Sequence, residues 1–255
     1  MARDLPAPAT SASQQRRLLQ IWLSPSFPVG AYAYSHGLER AVEAGFVTSR
    51  ATLRDWIGDL FAHGSIRNDL ILLAAVWRAV CDAQWAELRD IAELAAALQP
   101  SAERRLESLT HGGSFLLAID AAWPVQRQWG QTPFELWGTS AERGLTPLSP
   151  APMPPREVAY PVAVAFAAAG HGIDLDPLLE AYAVAFVGNL ASAAIRLSVI
   201  GQTDAQRLQA ELTSVIDTAT AHAAAATLAD LGSSTFSADL CSMEHETQYT
   251  RLFRS

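Results

Sequence analysis

The sequence predicts an all-α fold, a single-domain bundle of roughly ten helices, and three observations predict it. Apolar residues recur at helical spacing in several separate stretches. Helix-start signatures precede the apolar runs, and no stretch sustains the period-two alternation of a half-buried strand. Half of the 255 residues are apolar and only 17% are charged, which is enough to bury a sizeable core.

Taken in chain order, residues 1–17 (MARDLPAPATSASQQRR) read as a flexible leader, with no apolar core of the kind a secretory signal needs. Residues 24–39 (SPSFPVGAYAYSHGLE) read either as a structured turn or as part of a partner surface. Pro25 and Pro28 end the first helix, Gly30 permits a tight approach, and Tyr32, Tyr34 and His36 carry amphipathic rings. Leu53, Trp56, Ile57, Leu60 and Phe61 fall at i, i+3, i+4, i+7 and i+8, one stripe of a helix that Thr48 or Ser49 caps. The same spacing puts Leu106, Leu109, Gly113 and Leu116 on a second stripe. A third holds Leu208, Leu212, Val215, Ile216, Ala219 and Ala223.

Thr132, Pro133 and Glu135 supply a cap, a first-turn proline and a capping-box acid. Asp176 and Pro177 do the same for a long apolar helix, and Thr203 with Gln206 forms a capping box at the head of the last long helix. Residues 144–156 hold five prolines and read as a long surface loop within one bundle, because the helices on either side have apolar faces too broad to satisfy alone. The apolar stretch 181–200 contains Asn189 and Arg196 and is rich in small residues, so it reads as a buried helix and not a membrane span.

Composition closes several chemistries. The chain has no lysine; all 18 basic residues are arginine. That excludes a lysine Schiff base, a lysine nucleophile and a phosphate-loop lysine. A net charge of -8 with dispersed arginines argues against nucleic acid as the main partner. Cys81 and Cys241 stand alone and far apart, which fits a reducing compartment and a cytoplasmic protein. None of the six histidines pairs with another at the i, i+4 spacing that clamps zinc, although Cys241 and His245 stand four apart and allow a transient metal contact. No nucleophile elbow or phosphate loop occurs. Glu39 and Glu43, also four apart, read as a solvated helix face. His111-Gly112-Gly113 reads as a close helix crossing or, less simply, a pocket-shaping loop.

The tail is the most distinctive segment. Met243, Tyr249, Leu252 and Phe253 are apolar anchors, interleaved with His245, Glu246, Gln248, Arg251 and Arg254. Aromatic and arginine anchors are what interface hot spots favour, so residues 238–255 read as a docking segment that orders on binding.

Three blocks in order, FPVGAYAYSHGLE, GQTDAQRL and HETQYTRLFRS, resemble the UreF family of urease accessory proteins over residues 18–255. The resemblance implies an all-α homodimer in the cytoplasm that bridges UreD (UreH) and the GTPase UreG, and so helps insert nickel into the urease apoprotein. It implies no catalysis and no cofactor held by this chain, nickel and GTP being handled by partners, and neither nucleic acid nor membrane as partner. Residue by residue it makes His245, Glu246, Gln248, Tyr249, Arg251, Leu252, Phe253 and Arg254 partner-binding. Gln202, Asp204 and Arg207 match a turn expected near the same surface, and Tyr34, His36 and Glu39 match the N-terminal motif. Glu244 departs from the family pattern, with an acid expected to alter an ion pair to UreD. The division that follows is a leader at 1–17, a helical domain at 18–237 and a docking segment at 238–255. A competing reading is a helical small-molecule enzyme similar to TenA-type thiamin hydrolases, with Cys81 lining a pocket; Cys81 otherwise reads as a small buried hydrophobe at a helix end.

Overall fold

The computed structural model describes residues 10–124 and 157–255, and those residues form eleven α-helices and no strand. The proline-rich segment 144–156 and the helix start at Thr132 lie outside the described residues. Helix α1 (Ala12–Trp22) begins inside the stretch read as a leader, because Ser11 and Gln14 close a capping box at its head. A 3₁₀ turn at Ala31–Ala33 leads into α2 (Leu38–Glu43), entered through His36 and Gly37, both in the left-handed region.

Helix α3 (Arg50–His63) has the predicted stripe, capped by Ser49, with Leu53, Ile57, Leu60 and Phe61 buried. Each such side chain contributes roughly 1.5–3 kcal/mol of apolar transfer. Helices α4 (Ser65–Cys81), α5 (Trp85–Ala97) and α6 (Ala102–Ala122) follow, then α7 (Tyr160–Gly170). Helix α7 is apolar on all sides, the mark of a helix enclosed by others; all nine residues from Pro161 to Ala169 are buried, and it packs mainly on α4 and α6. The His111-Gly112-Gly113 run is a close crossing in the middle of α6. A Cβ on Gly112 would stand 1.9 Å from the Val158 carbonyl oxygen, so only glycine lets the two backbones meet.

Helix α8 (Leu175–Arg196) is the one described helix long and apolar enough to cross a membrane by length and composition. Leu178, Tyr182, Phe186 and Leu190 bury one side of it in the core. It starts before the expected Asp176, at Asp174, whose side chain is bonded to Gln15 of α1 and does not cap. The last predicted helix is two, α9 (Gln202–Glu211) and α10 (Thr213–Ala225), bent at Leu212. Leu208, Leu212 and Ile216 still bury together. The expected Thr203–Gln206 capping box does not form: Gly201 is the cap residue and Thr203 already lies in the first turn. Helix α11 (Phe236–His245) closes the fold and packs on α2 and α6. Cys81, expected to be buried, is exposed where α4 ends.

Candidate functional site

Only the C-terminal half of the stripe expected on α6 is buried: Gly113 and Leu116 are, whereas Leu106 is 64% exposed. The helix instead turns Arg104, Glu107, Ser108 and His111 inward, a polar stripe at i, i+3, i+4 and i+7 that continues into Phe115 and Ile119. Arg104 and Glu107 form a buried ion pair. Glu107 also accepts from the Ser255 hydroxyl at 2.6 Å and faces His36 Nε2 at 3.2 Å. Burial, the largest single influence, pushes Glu107 toward its neutral form, but the Arg104 charge, His36, His111 and the Ser255 hydrogen bond together outweigh it and hold the carboxyl at about 2. Burial, aided by Arg104, lowers His36 to about 3. His36 is therefore neutral, and its contact with Glu107 is an approach of an uncharged imidazole to a carboxylate and not a salt bridge. His111, between the rings of Tyr34 at 4.8 Å and Tyr160 at 5.6 Å, is lowered by burial in the same way. Behind them Asp69 accepts from the Tyr182 hydroxyl at 3.0 Å, and burial raises its carboxyl to about 6.

On this polar floor sits the tail. Glu39 Oε1 accepts from the Leu252 amide at 2.7 Å, and its Oε2 from the Phe253 amide at 2.9 Å. The Arg254 amide donates to the Ala33 carbonyl at 2.8 Å, and the amide and hydroxyl of Ser35 donate to the Ser255 carbonyl at 2.7 and 2.5 Å. Phe253 is buried with Arg196 lying over its ring at 4.2 Å. His245, wholly enclosed, stands between Glu103 Oε2 at 2.6 Å and Glu39 Oε2 at 3.2 Å. Arg251 also pairs with Glu103, and Glu246 accepts from the Ala102 amide at the head of α6 at 2.7 Å. The carboxylates of Glu39, Glu103 and Glu246 on the accepting side make those contacts stronger than neutral hydrogen bonds.

The expectation of a tail without a core of its own is thus corrected: it packs back on the bundle, because Glu39 of α2 takes its backbone donors and Glu103 and Glu107 of α6 face its side chains. Tyr34, His36, Glu39, His245 and Phe253 are spent inside the chain and offer little to a partner. Glu39 is no solvated face; Glu43, by contrast, is exposed and pairs with Arg40. Glu244 likewise pairs with Arg40, at 2.8 Å, so its charge is used internally. The Cys241–His245 pair is unavailable to metal, since both nitrogens of His245 face carboxylates. Among the described residues no group of three potential ligands could hold a metal ion.

What the tail leaves outside is Tyr249, fully exposed, with Leu252, Arg251 and Arg254. Gln248 is half-buried and bonds the Thr250 carbonyl. The turn at Gln202, Asp204 and Arg207 is not brought to the tail. Asp204 pairs with Arg207 at 3.1 Å and with Arg50 of α3 at 3.8 Å, while Gln202 is exposed. Sequence reasoning missed Glu103, Arg104, Glu107 and Ser35. The signal was present as the 104, 107, 108, 111 periodicity, a polar stripe at helical spacing beside the glycine crossing.

A family model described as UreF matches residues 47–213. A urease accessory protein UreF of Xanthobacter autotrophicus is 49% identical over 234 residues, covering 92% of this chain and 88% of its own. Those of Bradyrhizobium diazoefficiens and Azorhizobium caulinodans are each 45% identical, the first covering 93% of this chain and 90% of its own, the second 96% and 98%. With the matched model spanning more than half of the chain and relatives of this identity aligned along nearly all of it, this chain belongs to the UreF family.

Proposed function

We propose that this chain is a non-catalytic adaptor in urease maturation. It bridges UreD (UreH) and the GTPase UreG in a cytoplasmic complex, itself a homodimer, that loads the urease apoprotein. Nickel and GTP are handled by those partners. The observation that carries the reading is the seated tail. Its backbone is fixed by Glu39, Ala33 and Ser35, while Tyr249 and Leu252 point outward with Arg251 and Arg254 beside them. A pre-ordered segment presenting aromatic, aliphatic and arginine side chains loses little entropy on docking, which suits a protein interface.

The test is co-purification of the full chain with UreD and UreG, followed by urease activation. A Tyr249→Ala/Leu252→Ser variant alters exposed side chains only and is expected to keep the wild-type melting temperature. It should bind UreD at least about tenfold more weakly, a loss of roughly 1.4 kcal/mol or more. A wild-type chain that binds neither UreD nor UreG overturns the adaptor reading.

A further inference from the structure

Helix α3 has a second face that the seated tail does not use. Its buried stripe leaves Asp55, Asp59 and His63 outward, four residues apart, with Trp56 between the two sides. Together with the start of α11 it forms a cleft of about 510 Å³ whose apolar lining includes Phe46, Trp56 and Phe236. Phe46 is 54% and Phe236 74% exposed, large aromatic surfaces that a folded chain normally covers. On the other flank of the α3 ridge a cleft of about 320 Å³ shares Asp55 and Asp59 and adds Glu211.

The carboxylates differ in how they are paired. Asp55 is bound by its neighbour Arg54 at 2.7 Å and Glu211 by Arg50 at 2.6 Å. Asp59 is exposed and has no ion-pair partner among the described residues. An unpaired carboxylate beside exposed aromatic rings matches one kind of side chain, an apolar stem with a cationic head. Arginine and lysine have that form, the stem lying on the rings and the head reaching the acid. Carboxylates on the ridge repel phosphate, so an anionic ligand does not fit it. Two clefts on either side of one exposed ridge fit a polypeptide laid across α3, not a small molecule enclosed in a single pocket.

We propose that the α3–α11 cleft docks a basic segment of a maturation partner, an arginine or lysine entering beside Asp59 with an adjacent apolar side chain against Phe236. The proposal rests on the adaptor reading above. Its test measures binding of the full chain separately to UreD, UreG and urease apoprotein, at low and at high salt. An Asp59→Arg/Phe236→Ser variant is expected to lose at least about tenfold in affinity for one of the three, and wild-type binding to that partner to weaken with salt. Glu180→Arg, an exposed reversal on α8 outside the cleft, should leave all three affinities unchanged. Should the double variant melt early, Asp59→Ser alone carries the measurement. A wild-type chain that binds partners while the variant binds every one equally well overturns the cleft and spares the adaptor reading. A wild-type chain that binds none overturns both.

Discussion

Glu39 is bonded to two tail amides and faces a buried imidazole, so both carboxylate oxygens are occupied. Glu39→Gln keeps the volume but swaps one acceptor for an N–H donor, which then faces another donor. Breaking a charge-assisted bond of this kind costs roughly 1.5–3 kcal/mol. The expected result is faster hydrogen exchange at the Leu252 and Phe253 amides, by about tenfold or more, with the amides of α4 unchanged; unaltered exchange at 252 and 253 would show that Glu39 does not hold the tail. Glycines give a sharper contrast. Gly112→Ala drives a Cβ into the Val158 carbonyl, and neither backbone can yield without opening the α6–α7 crossing. We expect a loss above about 3 kcal/mol, in the range of severe core disruption. Gly58, in the middle of α3, has open space where a Cβ would go, so Gly58→Ala should be stabilising by up to about 1 kcal/mol. Urea titration of both variants checks the pair.

At the scale of elements, α6 tests how the bundle is read. Its first turns bury Arg104, Glu107, Ser108 and His111 where Leu106 was expected, and only further along do Gly113 and Leu116 of the expected stripe join the buried face. Leu106→Gln is therefore expected to change stability by less than about 0.5 kcal/mol, and Phe115→Ala to cost about 3–5 kcal/mol. Equal costs would restore the leucine face. The stripe on α3 was legible because apolar and polar residues separate cleanly there. On α6 they do not, since ion pairing lets Arg104 and Glu107 take core positions, and one sequence does not display a pairing partner. The α9–α10 bend at Leu212 was invisible for a related reason: the apolar period runs through it unbroken, and only the backbone angles turn. The tail's order escaped notice because its receptors are single carboxylates on α2 and α6, some 140 and 210 residues away in sequence. All-α class, by contrast, follows from local period alone.

For the whole molecule, the buried ionisable groups under the tail set how stability depends on pH. His36 and His111 fold neutral with pKa values below the ordinary 6.5, His36 at about 3. Each contributes stability that is present above 6.5 and lost as pH falls from there toward the folded value, because the unfolded chain takes up the proton first. Glu107, held at about 2 against an ordinary 4.5, adds a further loss below 4.5. Asp69 runs the other way. Raised from 3.8 to about 6 by burial, it disfavours the fold above 6, and that penalty is relieved as pH falls toward 3.8. Two histidines against one aspartate leave a net loss between pH 6.5 and 4.5, so the urea midpoint should be lower at pH 5 than at pH 7. Asp69→Asn keeps an acceptor for Tyr182 and removes the opposing group. Its midpoint should equal or exceed the wild type at pH 7, and then fall more steeply on acidification. A variant curve flatter than the wild type would mean that Asp69 is charged in the fold throughout. Because Glu107 bonds Ser255 and faces His36, the acid loss should appear first as faster exchange at the Leu252 and Phe253 amides, before the near-ultraviolet signal of the tryptophans changes. Simultaneous loss of both signals would place the tail and the core in one cooperative unit.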